Sequence, residues 1–287
     1  MAEPLIRDIS DTARWVAVYR ARESERPDAV FRDPYASALA GDRGEQIARA
    51  MPFGDKNSWS FVARTYAFDR MIAREVAAGA GIVVNLAAGL DARPYRMDLP
   101  ATLKWLEVDL PEILDYKESV LAGVKPVCAL ERVPLDLSNY DARRGLFSRI
   151  ARAGTRALVV SEGLLIYLMP AEVGELARDL ASRSGFERWI VDIASPGLLK
   201  MLDEHAGTLV RQAGAPYLFA PAEGPEFFAP YGWQALEVRS LLKTAGRLHR
   251  LPPFLRLMSL FPESNGPQGS RPWSGVCLLG RLSGASG

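Results

Sequence analysis

Hydrophobic positions in the middle of the chain alternate between two rhythms. Ile82-Val83-Val84-Asn85-Leu86 is a short apolar, β-branched run that stops at Ala87-Ala88-Gly89, the pattern of a strand buried on both faces. Strand-like runs recur at Lys104–Asp109, Pro126–Leu135, Arg156–Ser161 and Glu187–Ala194. Between them, Pro111–Leu121, Tyr140–Ala153 and Pro170–Ser184 space their apolar residues as helices do. Strands alternating with helices across short joints predict βαβ units and a parallel sheet. Upstream, a helix runs through Thr12–Glu23, capped by Asp8 or Ser10 and ended by Pro27. A second starts at Pro34 and stops at Gly41. After a polar loop at 54–58, an amphipathic helix spans Trp59–Ala78 and is released by Gly79 and Gly81. Beyond Ser195-Pro196-Gly197 the rhythm breaks. The expectation there is a helix at Leu198–Gln212, an aperiodic aromatic stretch at 216–230, a helix over Gly232–Gly246, a short strand at Leu248–Leu251, a loop at 252–270 and a last strand at Trp273–Leu282. The predicted organisation is one domain, 1–287, with a helical cap at 1–80, a sheet core at 81–195 and 247–287, and a lid insertion at 196–246.

Composition narrows the class. With 287 residues, 48% of them hydrophobic, the chain can bury a sizeable core. Lys and Arg number 35 against 34 Asp and Glu, a net charge of +1, which offers no overall footprint for nucleic acid or a membrane. Cys128 and Cys277 are far apart and lack a Cys-x-x-Cys partner, so reduced thiols and no metal site are expected. No apolar run approaches the ~18 to 20 residues of a membrane span, and the N-terminus has no signal core. The predicted setting is cytoplasmic.

The strand ends carry the candidate chemistry. Leu86-Ala87-Ala88-Gly89 has one glycine where a dinucleotide fingerprint wants three, and no Walker loop occurs. A nucleoside cofactor without phosphates needs only room beside the backbone, which favours S-adenosylmethionine over NAD; a plain small-residue turn remains the alternative. Asp109 follows Gly89 by 20 residues, at the end of the next strand. A carboxylate there can accept from both hydroxyls of a ribose, or can simply cap the following helix. Asp136-Leu137 ends the third strand, where a carboxylate and a backbone N–H suit an adenine; the competing role is again a helix cap.

VVNLAAGLDARPYR, WLEVDLPEILDYK, PLDL and VVSEGLLIYL, with TARWVAVYRARES and FRDPYA upstream, resemble the leucine carboxyl methyltransferase family, especially its bacterial S-adenosylmethionine-dependent branch. The resemblance covers about residues 10–195 and the final strand. It implies a Rossmann-like class I methyltransferase: α/β, a mostly parallel seven-stranded sheet with a reversed last strand. By the same resemblance Arg64 would bind the methionine carboxylate of the cofactor. Gly89 would lie beside its methionine part, Asp109 with Leu110 would hold the ribose, Asp136 and Leu137 the adenine, and Glu162 would line the pocket. Ala87 stands where the family's first glycine is usual, so one methyl group faces the cofactor.

Methyl transfer is an in-line displacement that needs close positioning. A carboxylate acceptor is already ionised at neutral pH, whereas an alcohol or phenol needs a base, often His. Of the two histidines, His249 reads as structural and His205 is a candidate for the pocket. Arg20 and Arg22 are candidates to grip an acidic acceptor. Tyr167, Tyr217, Phe219, Phe227, Phe228, Tyr231 and Trp233 could wall an apolar acceptor site, though such residues are as readily lid core. The expectation is O-methylation of a carboxylate on a small molecule of the secondary-metabolite type. A phenol, a hydroxyl or a protein C-terminal carboxylate are alternative acceptors, and a non-catalytic binding module is the alternative from another class.

Overall fold

The computed structural model describes residues 9–51, 57–212, 214–262 and 269–282; Asp8 and residues 54–56 of the expected polar loop lie outside them. Two helices, α1 (Ile9–Ser24) and α2 (Ala36–Ala50), open the chain and pack on each other. Gly41 was expected to stop the second helix. It instead kinks α2, with φ 59° and ψ −178°, and the helix resumes because Ile47 and Ala48 beyond it are buried. In α3 (Ser58–Ala77) the buried positions Val62, Ala63, Ala67, Phe68, Met71 and Ile72 form one face, which packs on the sheet beside Val83, Trp105, Leu158 and Ile190.

The sheet contains β1 (Ile82–Leu86), β2 (Lys104–Asp109), β3 (Ala129–Pro134), β4 (Ala157–Ser161), β5 (Phe186–Ala194), β6 (Trp233–Ser240) and β7 (Ser274–Arg281). Their spatial order is β3-β2-β1-β4-β5-β7-β6. The first five are mutually parallel, and β7 runs antiparallel to both β5 and β6. Crossover helices α5 (Pro111–Val120), α6 (Tyr140–Arg152) and α7 (Pro170–Ala181) follow β2, β3 and β4, and α4 (Arg93–Arg96) is a single turn after β1. Every residue of β1 and β4 is buried, which accounts for their unbroken apolar character. Strand order reverses between β1 and β4, so a crevice opens at their carboxyl ends, the usual ligand position of such sheets.

Downstream of β5, α8 (Pro196–Gln212) and a 3₁₀ turn at Gly224–Tyr231 precede β6. The helix expected at Gly232–Gly246 is instead β6 followed by α9 (Leu241–Arg247). Ala, Leu and Glu favour a helix there, but pairing along β7 overrides that weak preference, and the exposure of β6 alternates as a strand's should. The sheet therefore resumes at Trp233, inside the stretch expected as lid. The strand expected at Leu248–Leu251 is a turn, with His249 at φ 57°, and α10 (Pro253–Met258) occupies part of the expected loop. Both cysteines are buried free thiols. Among the described residues no helix is long and apolar enough to cross a membrane.

Candidate functional site

The carboxyl ends of β1, β2 and β4 face a cavity of about 430 Å³ roofed by α1 and α3. Ala87 and Gly89, just past β1, both take left-handed backbone angles, φ 51° and 46°. A β-carbon on Gly89 would also come within 3.2 Å of Ala13 on α1, so both conformation and space favour glycine there. Asp109 spans the gap between strands. One carboxylate oxygen accepts from the Gly89 N–H at 2.6 Å and the other from the Leu110 N–H at 2.8 Å. Burial raises its pKa, and those two N–H groups oppose the rise. Asp136 accepts from the Ser138 N–H at 2.8 Å, while the N-cap of α6 is Asn139, which accepts from Ala142. Neither aspartate is thus merely a helix cap: Asp109 braces the Gly89 loop, and Asp136 stands on the cavity wall beside Leu137.

An ionic network forms the opposite wall. Arg64 donates to Glu162 at 3.1 Å and to Asp192 at 3.3 Å. Arg93, almost wholly buried, reaches Asp69 at 2.6 Å, Glu162 at 2.8 Å and Asp91 at 3.0 Å. Burial alone would raise Asp91, but the guanidinium of Arg93, helped by Lys117 and Arg96, holds its carboxyl at about 2. Burial raises Asp192 despite Arg64 beside it and the Gly163 N–H on its Oδ1. Five carboxylates (Asp91, Asp109, Asp136, Glu162, Asp192) and three guanidiniums (Arg20, Arg64, Arg93) line the cavity. The excess of acid suits a ligand with positive charge, and the single small-residue turn offers no nest for phosphates.

Arg64, Ala87, Gly89, Asp109, Leu110, Asp136, Leu137, Glu162 and Tyr167 all line this one cavity. Arg20 does too, but its guanidinium is committed to Asp33 at 2.9 Å and to the Leu90 carbonyl at 2.6 Å. Arg22 is not on the cavity wall; it pairs with Glu45 at 3.0 Å. His205 is exposed on α8, its Nδ1 2.7 Å from the Met201 carbonyl, because the helix turns that face to solvent. Of the aromatics after β5, Tyr217 reaches the cavity and stacks on Tyr167 at 5.8 Å. Phe219, Phe228 and Trp233 are core, with Phe227 and Tyr231 packed against them. Sequence reasoning missed Asp91, Arg93 and Asp192, and the apolar walls Trp15, Phe61, Ile166 and Leu202. A charge inside the apolar run of β5 was the available signal for Asp192.

This strand order, with its open switch point between β1 and β4, is that of the Rossmann-like methyltransferases that use S-adenosylmethionine. The chain belongs to the leucine carboxyl methyltransferase family, whose sequence profile it matches over residues 13–181. A Streptomyces coelicolor protein provisionally named an S-adenosyl-L-methionine-dependent methyltransferase is 34% identical over 240 residues, 78% of this chain and 82% of the other. A Frankia alni protein with the same provisional name is 35% identical over 264 residues, 84% and 89% of the two chains. In fold, the chain is similar to a DUF574-family protein of Streptomyces avermitilis, with TM-score 0.57, 14% identity and coverage of 95% and 97%. The cofactor is S-adenosylmethionine, and the activity is methyl transfer.

Proposed function

We propose that the enzyme methylates a carboxylate oxygen of a small, largely apolar or aromatic acid. The observation that carries this is the make-up of the cavity wall: among the described residues it includes no His, Lys or Cys to act as a base, while Trp15, Phe61, Ile166, Tyr167, Leu202 and Tyr217 supply apolar surface. The phenols of Tyr167 and Tyr217 are both pushed up by burial, which disqualifies them as bases near neutrality. An acceptor already ionised requires none.

When bound, S-adenosylmethionine supplies a methyl group on a sulfonium. Arg64 keeps N–H groups beyond those given to Glu162 and Asp192 and would hold the cofactor's carboxylate. Asp109 uses one lone pair of each oxygen on Gly89 and Leu110, leaving others for the ribose hydroxyls. Asp136 and Leu137 would take the adenine, and the surplus carboxylates offset the cofactor's positive charge. Leu202 on α8 and Tyr217 beyond it support a lid role for the stretch from 196 to 232, covering the acceptor.

One observation favours a second acceptor. Asp192, raised by burial and on the cavity wall, could take a proton from a hydroxyl, giving an ether in place of an ester. Methyl-labelled cofactor offered with a panel of aromatic and aliphatic acids and phenols separates the two. The expected product releases labelled methanol on treatment with base, as an ester does. A product stable to base would make the acceptor a hydroxyl. Cofactor binding with no turnover across the panel would make the chain a binding module.

A further inference from the structure

The net charge of +1 conceals an asymmetry. The last fifty residues carry seven Lys or Arg and one acid, Glu263, so the remainder of the chain is acidic and its C-terminal part strongly basic. Arg250 is spent on Glu23 and Asp28, and Arg239 on Glu237. Lys243, Arg247 and Arg256 form no ion pair among the described residues, and the two arginines are exposed.

These cations flank the most apolar surface among the described residues. Leu251 and Leu255 anchor α10 against the α3 face of the core, and Ser259 sits against Gly246 of α9. That docking turns the rest of the segment outward. Phe254, Leu257, Met258 and Phe261 fall at i, i+3, i+4 and i+7, one helical face, which is prolonged by turn bonds that the Leu260 and Phe261 N–H groups donate to the Leu257 and Met258 carbonyls. All are exposed, Phe254 to 73% and the neighbouring Leu260 to 77%. A soluble monomer seldom leaves such a stripe in water.

We propose that the α9–α10 corner, Arg247 to Phe261, docks the enzyme on an anionic lipid surface. Large apolar side chains flanked by unpaired cations, with no acid between Glu237 and Glu263, are the composition of an interfacial element: the apolar face enters the acyl boundary and the cations meet the headgroups. A second copy of the chain fits less well. A twofold contact through this face brings Arg247 and Arg256 towards their own images, and the described carboxylates at this corner, Glu23 and Asp28, are already paired with Arg250.

The test is flotation of the full chain with vesicles of phosphatidylcholine alone, or of equal parts phosphatidylcholine and phosphatidylglycerol. Binding is expected on the anionic vesicles only, and is expected to fall at high salt. Changing Arg247→Gln with Arg256→Gln should lower the partition coefficient by about twenty-five-fold, about fivefold for each cation. Changing Phe254→Ser with Leu260→Ser should lower it by about tenfold or more. Both variants should bind S-adenosylhomocysteine in solution as the parent does, which shows that they fold. Equal binding to neutral vesicles, or none to either, overturns the proposal. So does a concentration-dependent dimer that the Phe254/Leu260 change abolishes in a chain that never floats, which would assign the face to a second copy.

Discussion

At Ala87 the chain holds a non-glycine residue in the left-handed region, φ 51°, where a β-carbon costs about 1–2 kcal/mol. Ala87→Gly should therefore raise the melting temperature by about 2 °C, after the larger unfolded-state entropy of glycine takes back part of the gain, and should not weaken cofactor binding. A lower melting temperature would show that the loop is unstrained. Asp109 is the opposite case, a side chain whose two oxygens brace the backbone that lines the cavity. Asp109→Ala should weaken S-adenosylhomocysteine binding by about 1–3 kcal/mol, the cost of stranding hydrogen-bonding groups, as read by calorimetry. An unchanged dissociation constant would overturn the ribose role proposed for Asp109. Both residues were legible from the chain alone, because a strand that ends in small residues and a second that ends in an acid are local signals.

Contacts between elements were harder to foresee. Arg93, on the single turn after β1, ties α3 through Asp69, its own loop through Asp91 and the end of β4 through Glu162. Nothing in its sequence neighbourhood, DARPYR, marks it for burial; the approach of α3 and β4 does that. Arg93→Met would leave Asp91 without its guanidinium and take one partner from Asp69 and Glu162, which keep Arg96 and Arg64, so a loss of about 3 kcal/mol is expected, measured as a lower urea midpoint. Arg93→Lys should lose less, since charge is kept and only the planar fork is lost. A wild-type midpoint for Arg93→Met would mean that the network is dispensable. The misread β6 follows the same logic. WQALEVRS has helical propensity, and its strand geometry comes from β7, more than thirty residues later in the chain.

For the molecule as a whole, acid stability follows from the buried carboxylates. Asp91 is lowered from an ordinary 3.8 to about 2, so its contribution is present above about pH 4 and is lost as the pH falls towards 2. The shift is worth about 2 kcal/mol. Asp69 is lowered too, Arg96 and Arg93 outweighing its burial, and acts in the same direction. Asp109 and Asp192 are raised by burial; their charge costs stability near neutrality, and protonation relieves that cost. Stability should hold to about pH 4 and then fall steeply. Tryptophan fluorescence during acid titration would show this, and Asp91→Asn should flatten the fall by about 2 kcal/mol. An identical acid limb in that variant would dissociate Asp91 from the transition.

The apolar rhythm of residues 82–194 was enough to specify parallel strands and their helices, because burial on two faces marks β1 and β4 and burial on one face marks the helices between the strands. It was also enough to place Gly89, Asp109 and Asp136 at strand ends. Chain folding settled the rest: that β6 is a strand, that Arg20 is occupied by Asp33 and Leu90, that His205 faces solvent, and that Arg93 and Asp192 join Arg64 and Glu162 in one wall. Each of these depends on groups distant in sequence, whose free energy of contact exceeds any local preference and leaves no trace in the spacing of residues.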